Sequence, residues 1–156
     1  MLIEGLRRLE YRGYDSAGVA VQADNAILER VRTVGKVDEL ARALDKAPIN
    51  GRTGIAHTRW ATHGRPSEIN AHPHNVNGFV VVHNGIIENY LDLKNHLREQ
   101  GHSFSSETDT EIIAHLVEEH YKECGDFEAA VRMALGDVRG AYAVAILCDR
   151  EPDRLI

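Results

Sequence analysis

Two apolar runs of strand length, residues 53–57 and 79–83, each end in a histidine that leads into polar sequence. Runs this short, the second reading Phe-Val-Val-Val-His, suit buried strands better than helices, so the fold must supply layers to cover them. Between them, residues 58–78 contain Gly64, Pro66 and Pro73 and show no sustained period. Connections beyond about 12–15 residues are uncommon unless functional or disordered. Trp60 and the histidine and arginine positions argue against disorder, and chemistry often sits where strands end in loops.

The remaining pattern builds around those strands. Leu2, Leu6 and Leu9 recur at helical spacing and stop before Gly13, in a helix with no capping residue before it, which leads us to expect further chain upstream. Residues 19–21 and 27–34 read as a hairpin about Asp24-Asn25, and 37–44 return to helical spacing. Residues 89–100 form a helix with Tyr90, Leu93 and Leu97 on one face and Gly101 as its stop, and a short strand is expected at 102–104. Thr108-Asp109-Thr110-Glu111 is a capping-box pattern before an apolar face of Ile112, Ile113, Leu116, Val117 and Tyr121, ending at Gly125. Asp126 can cap a second helix to Leu135, 141–148 is a buried strand, and 154–156 enter another. Paired strands, two consecutive helices and a further strand predict a layered α+β fold rather than βαβ alternation.

Composition narrows the function classes. With 43% hydrophobic and 27% charged residues, the 156-residue chain fits one soluble domain. A net charge of −6 argues against nucleic acid as a partner. The first eight residues interleave acid and base where a signal peptide needs an apolar run, and nothing later approaches a membrane span, so a cytoplasmic protein is expected. Cys124 and Cys148 have no CxxC or other ligand spacing and read as buried thiols.

Four constellations carry chemistry. In His57-Thr58-Arg59-Trp60-Ala61-Thr62-His63-Gly64, the guanidinium of Arg59 offers a planar fork that matches a carboxylate, although a surface ion pair would equally explain it. His83-Asn84-Gly85 lacks the second strand that a hairpin turn needs, which frees Asn84 and the Gly85 N–H to form an oxyanion hole; a structural turn remains the plainer reading. Asp109 is favoured at a helix start by the dipole, and could instead bind a substrate ammonium. His57, His63, His72, His74 and His83 include a His-x-His pair, but no third or fourth ligand stands at recognisable spacing, so no metal is expected there.

Together, residues 7–18, 54–64, 70–74, 83–89 and 106–111 resemble the amidotransferase domain of the glucosamine-6-phosphate synthase family, which are class II glutamine amidotransferases. The resemblance runs across essentially the whole chain. It implies the N-terminal-nucleophile hydrolase fold, an αββα sandwich of mainly antiparallel sheets. It also implies an N-terminal cysteine that attacks the glutamine side-chain amide, with its own α-amino group handling protons, and no cofactor. The ammonia then passes to a separate sugar isomerase portion, which makes glucosamine 6-phosphate from fructose 6-phosphate. By the same resemblance, Arg59 would hold the glutamine α-carboxylate and Asp109 its α-ammonium, while Asn84 and Gly85 would form the oxyanion hole. Trp60, Thr62 and His63 would line the glutamine loop, with Trp60 a gate for ammonia, and His72 would sit in a second closing loop. Arg12 and Gly13 would lie near the nucleophile.

The departures matter as much. Family members begin with Cys-Gly-Ile and a first strand, whereas this sequence opens in the following helix. We therefore expect a single partial domain over residues 1–156, incomplete at both ends, without glutaminase activity of its own and prone to self-association through uncovered edges. The intact enzyme would be a homo-oligomer. Rival readings are another class II amidotransferase, such as an amidophosphoribosyltransferase, or a non-catalytic module that binds glutamine or glutamate. Residues 11–16 and 57–60 favour the sugar enzyme.

Overall fold

Every residue of strand β1 (Ser16–Gln22) is buried, which requires cover on both faces of its sheet. The computed structural model, which describes residues 1–23, 27–61 and 64–156, supplies that cover in layers. Strands β1, β2 (Leu28–Val34) and β3 (Thr53–Arg59) form one sheet in the order β2-β1-β3. Strands β4 (His74–Val76), β5 (Phe79–Gly85) and β6 (Tyr142–Cys148) form the other in the order β4-β5-β6, and all pairings are antiparallel.

Side chains sort by the two-residue pleat. Ala17, Val19 and Val21 of β1 pack with Leu6 of helix α1 (Leu2–Leu9) and with Val37 and Leu40 of helix α2 (Val37–Lys46). Ala20 of β1, Ile55 of β3, Val80 and Val82 of β5 and Leu147 of β6 meet between the sheets. Phe79 and Val81 face the other way, onto helices α3 (Tyr90–Glu99), α4 (Thr110–Cys124) and α5 (Phe127–Asp137). The layers thus run helix, sheet, sheet, helix, the αββα arrangement expected. Each fully buried valine or leucine in them contributes about 1.5–3 kcal/mol relative to exposure.

Several local expectations hold. The Asp126 carboxylate accepts from Ala129 N at 2.8 Å, capping α5, and Gly125 ends α4 in the left-handed conformation at φ 68°. The N–H of Ile156 donates to Ile146 O at 3.1 Å, so the last residues do return beside β6. The expected hairpin strands are neighbours, but Asp24 and Asn25 lie outside the described residues.

Three expectations are corrected. The segment 102–104 is not a strand: His102 N–H closes α3 by donating to Leu97 O, and Ser105 N–H is taken by the Glu111 carboxylate. The stretch 58–78 is not all loop, because β4 pairs its three residues with the start of β5. Nor does the capping box close as written. Glu111 reaches back to the N–H and hydroxyl groups of Ser105 and Ser106, and Asp109, which occupies the N-cap, makes no side-chain cap bond.

Candidate functional site

The ends of β3 and β5 and the start of α4 converge on one cleft of about 420 Å³. Its walls include Arg12, His57, Arg59, Trp60, His72, His83, Asn84, Gly85, Thr108 and Asp109, together with Leu6 and Leu9 of α1. Arg59 and Asp109, 50 positions apart in sequence, therefore face one cavity.

Arg59 is held rigidly. It is 4% exposed, its Nη2 donates to Gly64 O at 2.9 Å, and its Nη1 lies 3.8 Å from Asp15 Oδ1. Burial lowers the guanidinium below its ordinary value, opposed by Asp15 and then Asp109, and at physiological pH it stays charged. Asp15 also accepts from the Ala61 N–H, which ties the start of the long loop to β1. Gly13 closes on the same point, since a Cβ there would stand 2.8 Å from the Arg59 carbonyl carbon.

Asp109 is spared from capping and reaches across to β5: its Oδ2 accepts from Ile87 N at 3.0 Å, and its Oδ1 lies 3.9 Å from His83 Nδ1. The long loop is pinned on both sides. Asn70 exchanges two bonds with Glu107, Nδ2 to Oε2 and N–H to Oδ1, each 2.9 Å. Arg32 of β2 donates to the carbonyls of Ile69 and Ala71, and Arg30 to that of Pro73.

Asn84 and Gly85 end β5. Gly85 has φ 135°, and a Cβ there would overlap the Ala141 carbonyl oxygen, so the position requires glycine. Asn84 is oriented by a chain of contacts that the sequence did not expose. His57 Nε2 lies 2.9 Å from Asn84 Oδ1, and His57 Nδ1 lies 3.0 Å from His72 Nδ1. An amide oxygen only accepts, so Nε2 of His57 carries its proton and Nδ1 accepts from His72. The amide oxygen being taken, the Nδ2 donors of Asn84 face the other way. Both imidazoles are kept neutral: burial, chiefly, lowers His57, and burial followed by His57 itself lowers His72 well below the usual range.

Of the sequence-derived site residues, Arg59, Trp60, His72, Asn84, Gly85 and Asp109 all line the cleft. Trp60 is 60% exposed and meets Tyr14 edge-on at 5.5 Å between ring centroids. Thr62 and His63 lie outside the described residues. His57, His83 and Asp15 were not singled out for roles, and only their contacts reveal them. Of the two cysteines expected to be buried, Cys148 is, in β6, whereas Cys124 stands exposed at the end of α4, a correction; neither lines the cleft.

Comparison with known proteins places the chain in a family. Residues 57–156 match a family described as the glutamine amidotransferase domain. The chain is 56% identical over its whole length to glutamine–fructose-6-phosphate aminotransferase (isomerizing) of Escherichia coli K12, and 54% to that of Vibrio vulnificus. It spans 26% of the length of each of these relatives. Among solved structures, it is similar to the glutamine phosphoribosylpyrophosphate amidotransferase of B. subtilis complexed with ADP and GMP, at TM-score 0.79 and 29% identity over 94% of this chain and 32% of that one. A structure described as the allosteric regulatory enzyme of purine biosynthesis matches at TM-score 0.81 and 30% identity over 95% of this chain and 32% of the other.

Proposed function

Because this chain belongs to the glutamine amidotransferase domain family, we propose that its cleft binds glutamine for hydrolysis, and that it is the ammonia-supplying part of a glucosamine-6-phosphate synthase. The observation that carries this reading is the meeting of Arg59 and Asp109 in one cleft with Asn84 and Gly85 at its wall.

Glutamine has two charged groups on one carbon and its reactive amide at the far end. The Arg59 fork takes the α-carboxylate and the Asp109 carboxylate takes the α-ammonium, which fixes the amide's position along the cleft. Attack on the amide carbon moves negative charge onto its oxygen. Asn84 Nδ2–H and the Gly85 N–H receive that charge, and the leaving nitrogen gains a proton and departs as ammonia. Trp60 and His72 complete the described part of the pocket. Neither Cys124 nor Cys148 lines the cleft, so neither is the group that attacks the amide.

In the whole protein, ammonia passes to a sugar isomerase portion that converts fructose 6-phosphate to glucosamine 6-phosphate, within a cytoplasmic homo-oligomer that needs no cofactor. Among the described residues, no helix is long and apolar enough to cross a membrane. Similarity to the phosphoribosylpyrophosphate amidotransferase of B. subtilis supports a second reading, but at 29% identity it weighs less than 56% to the sugar enzyme.

The test is transfer of label. The full-length protein, given glutamine labelled at the amide nitrogen together with fructose 6-phosphate, is expected to yield labelled glucosamine 6-phosphate. Labelled phosphoribosylamine from phosphoribosylpyrophosphate, with no amino sugar, would replace this reading with the second.

A further inference from the structure

On the face of α4 away from Asp109, a second cleft of about 480 Å³ is lined by His102, His115, Glu111, Glu118 and Lys122, among others. None of these residues lines the glutamine cleft. His102 leaves the end of α3, while His115 and Glu118 stand three apart on α4 and so share one helix face. Their inner atoms converge. His102 Nδ1 and His115 Nδ1 are 2.8 Å apart, Glu118 Oε2 is 3.7 Å from His102 Nδ1, and the three groups offer ligand atoms all within 4.8 Å of one another.

The outer atoms match a metal site as well. A ligating histidine usually donates its other ring N–H to a carboxylate, which fixes its tautomer and raises its basicity. His102 Nε2 lies 2.7 Å from Glu119 Oε1, and His115 Nε2 lies 3.9 Å from Glu111 Oε1. His115 Nε2 is buried and has no hydrogen-bond partner. A cation held by both Nδ1 lone pairs leaves each ring's proton on Nε2, that of His102 toward Glu119 and that of His115 toward Glu111.

Charge favours the same occupant. Glu118 and Glu119 share the ammonium of Lys122, at 3.2 and 2.6 Å, and Glu111 adds a third carboxylate.

We propose that His102 Nδ1, His115 Nδ1 and Glu118 Oε2 form a site for a zinc-class divalent cation, with Glu119 and Glu111 as its supporting carboxylates. Two imidazole nitrogens and one carboxylate oxygen suit Zn²⁺ or Co²⁺ rather than Mg²⁺ or Ca²⁺, which prefer oxygen alone. The bound ion ties residue 102 to the middle of α4 and so braces the connector that leads to Asp109. The pattern escaped the sequence reading because its third ligand lies 13 positions before the helical pair.

Purified full-length protein, stripped with chelator, is titrated with Zn²⁺ by calorimetry and with Co²⁺ by visible absorption. One equivalent per chain, with cobalt d–d bands of a four-coordinate site and a rise in Tm, is expected. His102→Gln and Glu118→Gln, each checked for unchanged folding by circular dichroism, should abolish that equivalent, and Glu119→Gln should weaken it about 10–100-fold. Absence of stoichiometric binding would overturn the proposal. So would binding that survives both His102→Gln and Glu118→Gln, or that disappears with His72→Gln instead, which would put the ion in the glutamine cleft.

Discussion

Among the described residues two pairs of histidines meet through their Nδ1 atoms, His57 with His72 at 3.0 Å and His102 with His115 at 2.8 Å, and their surroundings are opposite. The first pair is buried in the wall of the cleft and ends on a neutral amide, Asn84. His74 stacks beside it, its ring 5.0 Å from that of His72, and bonds a hydroxyl, that of Thr108. The second pair is framed by Glu111, Glu118 and Glu119. One contact geometry thus serves two ends. Among neutral partners it passes orientation along a chain of single protons; among carboxylates it gathers lone pairs for a cation. What the imidazoles do is decided by what lies one bond further out.

The comparison breaks first at Asn84. Asn84→Ala in the full-length enzyme is expected to lower kcat for glutamine hydrolysis about 10²–10³-fold with little change in KM, as for loss of one oxyanion donor. Steady-state kinetics that show normal turnover would detach the cleft pair from catalysis. Arg59→Ala should act on binding instead. Losing one charged hydrogen-bonded contact, worth about 1.5–3 kcal/mol, weakens glutamine by roughly 10–150-fold, measured as KM or as Kd for glutamate.

His57 sharpens the contrast, because it is a positioning residue that acts through Asn84. His57→Gln should lower kcat about 10-fold, less than removal of the amide itself. Combined with Asn84→Ala it should cost almost nothing more, whereas additive losses would mean that His57 works by another route.

The smallest effect is on acid stability. His57, His72 and His74 have folded values below the ordinary 6.5, His74 being pushed down to about 3 by burial and then by Arg32. Above pH 6.5 both folded and unfolded chains are neutral at these rings and stability is full. Below it the unfolded chain takes up protons that the folded chain refuses, so stability falls as the pH drops. Glu111, depressed from 4.5, adds a second loss that begins only below its ordinary value. Urea unfolding between pH 7.5 and 5 should show the first loss, and His72→Gln should reduce it. A flat profile in the unsubstituted protein would mean that the folded chain takes up protons at these rings as readily as the unfolded chain does.

Much of this was legible in the sequence, and the boundary of what was not is physical. The apolar runs at 53–57 and 79–83 give β3 and β5 because strand burial leaves a local pattern. The helix stops at Gly101 and Gly125 are likewise written in the residues that form them. The supposed strand at 102–104 failed because its N–H groups are claimed by α3 and Glu111, partners that no local period reveals. β4 was missed because three residues with prolines and histidines around them carry no alternation. Arg59, Asp109 and Asn84 were found through a resemblance, and their residue types alone left bland explanations open. His57 and the His102–His115 pair became visible only as distances.

The central claim is that Arg59 and Asp109 hold the two charged ends of one amino acid, and a ligand-by-variant cycle tests it most directly. Calorimetry of full-length protein with glutamate and with glutarate, which lacks the α-amino group, is repeated on Asp109→Asn. The account predicts that deleting the amino group costs affinity about 10-fold or more in the unsubstituted protein and almost nothing in the variant. Equal losses in both proteins would show that the Asp109 carboxylate does not receive the ammonium, and the glutamine cleft as described would be wrong.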